Sequence, residues 1–281
     1  MRKLLIVLSA VVVVAVVAVI VLLNRKPDKP EPGTVVDEAM AAGRGPETLP
    51  AADEDYMADM DYGVTRDPEA VRAALEPYVP GISAEDAVAA VVRGRNNWNV
   101  WTAGNDRLWD QLSRDSLGAL DLLKTLSNHP EMGYSRDNRW EYLGLLNEPC
   151  FRKYRPPPGC DPAEDEWGCG RPDRYGLWLD VRSEGCPPDP FENEEKYSGV
   201  EVGARGKNIP AGSFYGYASG VLGLRLLPNP DFDRRAERRW DPERYYTDES
   251  YYNDRDLVKP YRVGMACGFC HIGPNPTNPP S

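Results

Sequence analysis

The sequence predicts a mainly α fold with a small β element: an α+β chain with long irregular, disulfide-stapled loops and an N-terminal transmembrane helix. The helices follow from apolar residues spaced three and four apart between 67 and 130, and the β element from period-two alternation between 197 and 227. The staples follow from Cys150, Cys160, Cys169 and Cys186, which fall in a stretch dense in proline and glycine.

The first element is the run 4–23, 20 residues whose only polar member is Ser9. That length matches the hydrocarbon thickness of a bilayer. Arg2 and Lys3 precede it and Arg25, Lys26 and Lys29 follow, so charge bias gives no orientation. A cleaved signal peptide is the competing reading. Its apolar region is ordinarily shorter and ends in small residues, whereas this run exits into Asn24, Arg25, Lys26 and Pro27. Residues 1–24 are therefore expected to be an uncleaved membrane anchor. Residues 25–66 read as an acidic, proline-rich tether, with Pro27, Pro30, Pro32 and Pro50 interspersed among Glu47, Asp53, Glu54, Asp55, Asp59 and Asp61. Such a composition buries too little apolar surface to offset its ordering entropy. The net charge of -11 argues against nucleic acid as a partner, because phosphate contacts need a positive face. Arg234, Arg235, Arg238 and Arg239 do cluster, but Asp231, Asp233, Glu237, Asp241 and Glu243 surround them, and the segment reads as a salt-bridged helix surface.

Residues 67–130 form the helical region. Asp67 before Pro68 and Glu69 is an N-cap with proline in the first turn, and that helix stops at Pro77 and Pro80. Ser83 opens a second helix with Ala87, Val88, Val91 and Val92 on its apolar face, expected to end near Gly94. Trp98, Trp101, Leu108, Trp109 and Leu112 follow in a segment interrupted by Gly104. Leu117, Leu120, Leu122, Leu123 and Leu126 carry the pattern to His129 and Pro130. The three tryptophans read first as core packing between helices and alternatively as the wall of a ligand pocket. Asn96, Asn97, Asn99, Asn105 and Asp106, interleaved with them, are polar for a core stripe and weigh toward the pocket.

Residues 131–196 are a Cys-rich loop region. Four cysteines in an oxidising compartment form two disulfides, with three possible connectivities. A metal site is the alternative, but the spacings of ten, nine and seventeen fit no common zinc pattern. Residues 197–281 are expected to hold a small sheet and an aromatic belt of Trp240, Tyr245, Tyr246, Tyr251 and Tyr252. The strands are read at 200–202, 213–217 and 221–227.

The same segment contains Cys267-Gly268-Phe269-Cys270-His271, the C-x-x-C-H spacing that attaches c-type haem. Thiols three residues apart reach the vinyl groups of one porphyrin, and the adjacent imidazole reaches the iron as proximal ligand. Two other readings compete. A thioredoxin-like dithiol wants the motif near the start of a βαβ unit, for which the remaining residues leave no room. A zinc site wants four ligands, and the chain has no second C-x-x-C or His pair. Haem c is therefore the expected cofactor, attached at Cys267 and Cys270 with His271 on the iron. For the distal position His129 and Met132 are the candidates. Met57 and Met60 fall in the tether, and Met265 is too near the first attachment cysteine to arch over the far face. A histidine before proline at a helix end also has the plainer role of a C-terminal cap. A tyrosine of the belt, or Arg262, could hold a propionate.

With Tyr261-Arg262-Val263-Gly264-Met265 ahead and Gly273-Pro274-Asn275-Pro276 behind, the motif resembles the first haem-binding segment of large bacterial periplasmic c-type cytochromes. That broad group includes dihaem peroxidases and, more remotely, haem-dependent rubber oxygenases. The resemblance implies thioether attachment at Cys267 and Cys270, and His271 as proximal ligand. Because such attachment is made on the periplasmic side, it implies a single-pass protein of the inner membrane with its body in the periplasm. In that group a further globular region follows the motif, whereas ten residues, four of them proline, follow His271 here. The sequence thus reads as the N-terminal part of a longer product, or else the 67–266 body closes over the haem itself. Electron transfer with a redox partner protein is the expected function. A haem peroxidase or oxygenase with an open iron site is the alternative, and a haem-free thiol redox protein ranks third.

Overall fold

The computed structural model describes residues 54–61, 63–155, 173–187, 189–192, 215–274 and 277. The expected anchor 1–24, the tether up to residue 53, Cys160, Cys169 and the alternating stretch 200–202 lie outside the described residues. What is described is helix-rich, with small antiparallel sheets and one disulfide. Among these residues no helix is long and apolar enough to cross a membrane.

Helix α1 (Pro68–Leu75) begins where its cap dictates: the Asp67 carboxylate accepts from the Ala70 N–H at 3.1 Å. Pro68 sits in the first turn, where its missing N–H has no partner to lose. Helix α2 (Ala84–Val100) is capped by Ser83, whose Oγ accepts from the Asp86 N–H at 3.0 Å. It runs through Gly94 instead of ending there. A glycine inside a helix costs about 1 kcal/mol, and burial of Ala87, Val92 and Val100 offsets it. The chain turns at Ala103 and Gly104, both at positive φ. Helices α3 (Asp106–Asp115), α4 (Leu122–Thr125) and α5 (Arg139–Leu143) follow as short pieces.

Strands β1 (Phe151–Arg152) and β2 (Val181–Arg182) pair antiparallel, and the Cys150–Cys186 disulfide closes this ribbon with its Cα atoms 5.6 Å apart. A second sheet has the order β3 (Tyr217–Ala218), β4 (Leu224–Pro228), β5 (Tyr261–Met265), all antiparallel. Leu226 faces Val263 and Leu224 faces Met265 across the β4–β5 ladder. Between these strands run α6 (Arg234–Arg239), α7 (Pro242–Thr247) and α8 (Glu249–Tyr252), and after β5 comes α9 (Cys267–His271).

The larger core cluster joins Leu123, Leu126, Leu177, Val221, Leu224 and Val263 with Tyr245 and Tyr246. Those two tyrosines of the aromatic belt are therefore core, not surface. The Tyr245 hydroxyl donates to Asp121 Oδ2 at 2.8 Å, and Lys259 Nζ lies 3.4 Å from the same carboxylate. A smaller cluster joins Met57 to Val100, Phe191 and Tyr215. The tether expected to reach residue 66 thus gives way to packed structure by residue 54. Its acids are used there: Asp55 and Asp61 both pair with the buried Arg95 of α2.

Candidate functional site

Strand β5 delivers the chain directly into α9. The Ala266 N–H donates to the Gly223 carbonyl at 2.8 Å, one more cross-strand bond after the strand has ended. Helix α9 is little more than a single turn, and helical spacing sorts its side chains. Gly268 is buried and Phe269 half-buried against the core, whereas Cys267, Cys270 and His271 are exposed. Positions separated by three and four residues share a helix face. Both thiols and the imidazole are therefore offered on one outward side, and both thiols are free. Cys270 Sγ lies 3.5 Å from Met265 Sδ.

Helix α2 and the loop after it hold this turn in place. A Cβ on Gly268 would come within 2.6 Å of Asn99 Oδ1 and 3.2 Å of the Trp98 carbonyl. A Cβ on Gly264 would meet the Thr102 side chain at 2.7 Å. Only a hydrogen at each position permits so close an approach. Asn105 adds a polar clamp: its Nδ2 donates to the Met265 carbonyl at 2.7 Å, and its Oδ1 accepts from the Met265 N–H at 2.9 Å.

The end of α2 is inverted relative to an ordinary surface helix. Asn96 and Asn99 are buried, while Trp98 is 43% and Trp101 36% exposed. The reading of these tryptophans as core is corrected for both. The asparagines take the inner face because the inner neighbours are backbone: Asn96 Nδ2 donates to the Glu54 carbonyl at 3.1 Å, and Asn99 borders Gly268. The Trp98 ring lies 5.6 Å from the His271 ring, tilted by 50°. Beside this pair is an open cavity of about 370 Å³ lined by Met60, Arg95, Trp98, Asn99 and Ile272.

His129 and Met132 have partners of their own. His129 is 5% exposed and stacks on Tyr246 at 4.2 Å, with Trp178 edge-on at 5.3 Å. Its Nδ1 accepts from the Glu131 N–H at 3.3 Å, and its Nε2 faces Glu243 Oε2 at 3.4 Å. Burial holds its pKa below the ordinary histidine value, although Glu243 opposes the shift. As a cap it serves the turn that follows, Pro130–Met132, not the helix before it. Met132 packs against the larger core cluster. Arg262, suggested for a propionate, is buried and paired with Asp231, with Asp110 also near at 3.8 Å.

Sequence reasoning set Met60 aside with the tether and named Asn105 without giving it a role of its own. Met60 sits among acids that look like solvated tether until Arg95 gathers them. Asn105 beside the turn at Gly104 carried a signal only as part of the polar run. Among the described residues, no three His, Cys, Asp or Glu side chains are grouped to hold a metal ion. No protein-family model, curated protein or solved structure matches the chain.

Proposed function

We propose that this protein is a membrane-anchored, periplasmic c-type haem protein that transfers electrons to or from a redox partner protein. The observation that carries the reading is the outward face of α9, where two free thiols and one imidazole stand together on a turn fixed from behind. Cys267 and Cys270 would hold the porphyrin by thioether bonds, and His271 would be the proximal ligand. Haem, when attached, supplies a one-electron ferric/ferrous couple. The chain's own contribution is orientation. Asn105, Thr102 and Asn99 fix the strand-to-helix turn, so that the thiols and imidazole keep one geometry in both oxidation states. Trp98 and the cavity beside it offer an apolar wall next to His271. In this reading residues 1–24 anchor the chain in the bacterial inner membrane, and the body lies in an oxidising compartment, where a bridge such as Cys150–Cys186 persists.

A second reading, a peroxidase or oxygenase with an open iron site, is favoured by one observation: His129 and Met132 are engaged within the core. Met60, on the cavity wall, is the thioether that would argue the other way. An optical spectrum of periplasmically matured protein, reduced, before and after carbon monoxide, separates the cases. Haem c bands unmoved by carbon monoxide are expected for the electron-transfer protein, with Met60 the first residue to replace. A shifted Soret band supports the open site. No haem bands, in a host that matures a control cytochrome, sinks both.

A further inference from the structure

We propose that the reduced, haem-free chain carries a copper(I) site in which Cys267 and Cys270 bind the ion as thiolates and the Met265 thioether is the third donor. Met265 ends β5 and Cys270 lies on α9, and the turn at Ala266 folds one back toward the other, leaving Sδ and Sγ 3.5 Å apart. Cys267 stands one helical turn before Cys270 and is equally exposed and free. The donor set is sulfur throughout. His271 has its ring against Trp98. Soft thiolate and thioether donors select Cu(I), whereas zinc takes four N, S or O ligands in tetrahedral geometry.

The site is built before the ion arrives. The backbone of Met265 is held on both sides by Asn105, Ala266 is bonded to Gly223, and Gly268 is seated against Asn99. An ion entering there meets donors whose backbone is already fixed, which lowers the ordering cost of binding. Binding replaces two S–H protons by one cuprous ion: Cu⁺ and two thiols give a bis-thiolate cuprous unit and release two H⁺, with no change in oxidation state. Affinity therefore rises with pH. Thiols engaged in this way are closed to a disulfide and to thioether formation, so copper and haem compete for one pair of sulfurs.

The site does not rest on the haem reading, and its test uses haem-free protein. The full chain, made without cytochrome maturation and kept reduced in detergent micelles, is titrated anaerobically with Cu(I) against a coloured Cu(I) chelator. One copper per chain is expected, lost in Cys267→Ser and Cys270→Ser. Met265→Leu keeps the packing volume and weakens retention about tenfold or more. Copper-edge X-ray absorption on the unsubstituted protein gives three sulfur neighbours and needs no variant to fold. The proposal is overturned if the chelator strips wild type as readily as Cys270→Ser. It is also overturned if Met265→Leu holds copper as tightly and the absorption spectrum counts two sulfurs, which is a plain dithiol.

Discussion

Gly268 is the smallest residue of the Cys267–His271 turn, and its missing side chain is what lets the turn sit against α2. Its neighbour, Asn99, is 2% exposed, and beyond it lies the Trp98 carbonyl, so an added methyl group would have to displace a buried carboxamide that has little room to move. Gly268→Ala should move α9 outward and cost about 1–3 kcal/mol, as overpacking in close-packed interiors does. Urea unfolding measures this. Adding Asn99→Ala to Gly268→Ala should recover part of the loss, because the second change removes the oxygen 2.6 Å from the new carbon. An unshifted midpoint in the single variant would mean that the turn is not held by this contact.

At the scale of elements, the N-terminal caps were legible because they are local chemistry. Asp67 and Ser83 each bond an N–H three residues on, and both start helices where the sequence puts them. The end of α2 was not, since Gly94 is a stop signal only when nothing beyond it is buried, and Val100 is fully buried. Strand β5 was read only as a flank of the motif. Tyr261, Val263 and Met265 do alternate with Arg262 and Gly264, but the run is only five residues long, and what fixes it as a strand is the β4 ladder together with Thr102 and Asn105, all distant in sequence. Cysteine pairing was equally closed to sequence, which left three connectivities. The Cys150–Cys186 bridge spans 36 residues, and loop-closure entropy assigns such a bridge about 4 kcal/mol. Replacing both cysteines by serine should lower stability by up to that amount in denaturant titrations. A loss below about 1 kcal/mol would show the β1–β2 ribbon persisting in the unfolded chain.

At the largest scale, the described residues are tied together by buried charge as well as by apolar contacts. Arg225 of β4 donates to Asp189 at 2.9 Å and to the Tyr215 and Gly216 carbonyls, with Glu148 at 3.9 Å. One guanidinium thus joins segments from three parts of the chain. Burial pushes the Glu148 carboxyl up to about 7 from its ordinary 4.5, against the pull of Arg225. The fold therefore prefers protonated Glu148. Its contribution is complete below about pH 4.5 and is lost as pH rises through about 7, an effect of about 3 kcal/mol. Glu148→Gln should remove this dependence, so the stability difference between wild type and variant should change across that window. A difference constant with pH would show that Glu148 titrates as an exposed glutamate. Nothing in the sequence around Glu148 marks it, because its surroundings come from residues 41 and 77 positions away, Asp189 and Arg225. The turn at Cys267–His271 is the opposite case: its five residues are consecutive, so the spacing of its thiols and imidazole is legible in the sequence, and only the supports Asn99, Thr102 and Asn105 needed the structure.

One of those supports has a consequence for solubility. In the order β3-β4-β5, the strand leading to Cys267 lies at a sheet edge, and an open edge is a template on which a foreign strand can add. At Met265 both backbone groups are already taken by the Asn105 carboxamide, and α3 packs along the same strand. The side chain that fixes the turn before Cys267 thereby also occupies the backbone groups that a foreign strand would use at this end of the edge.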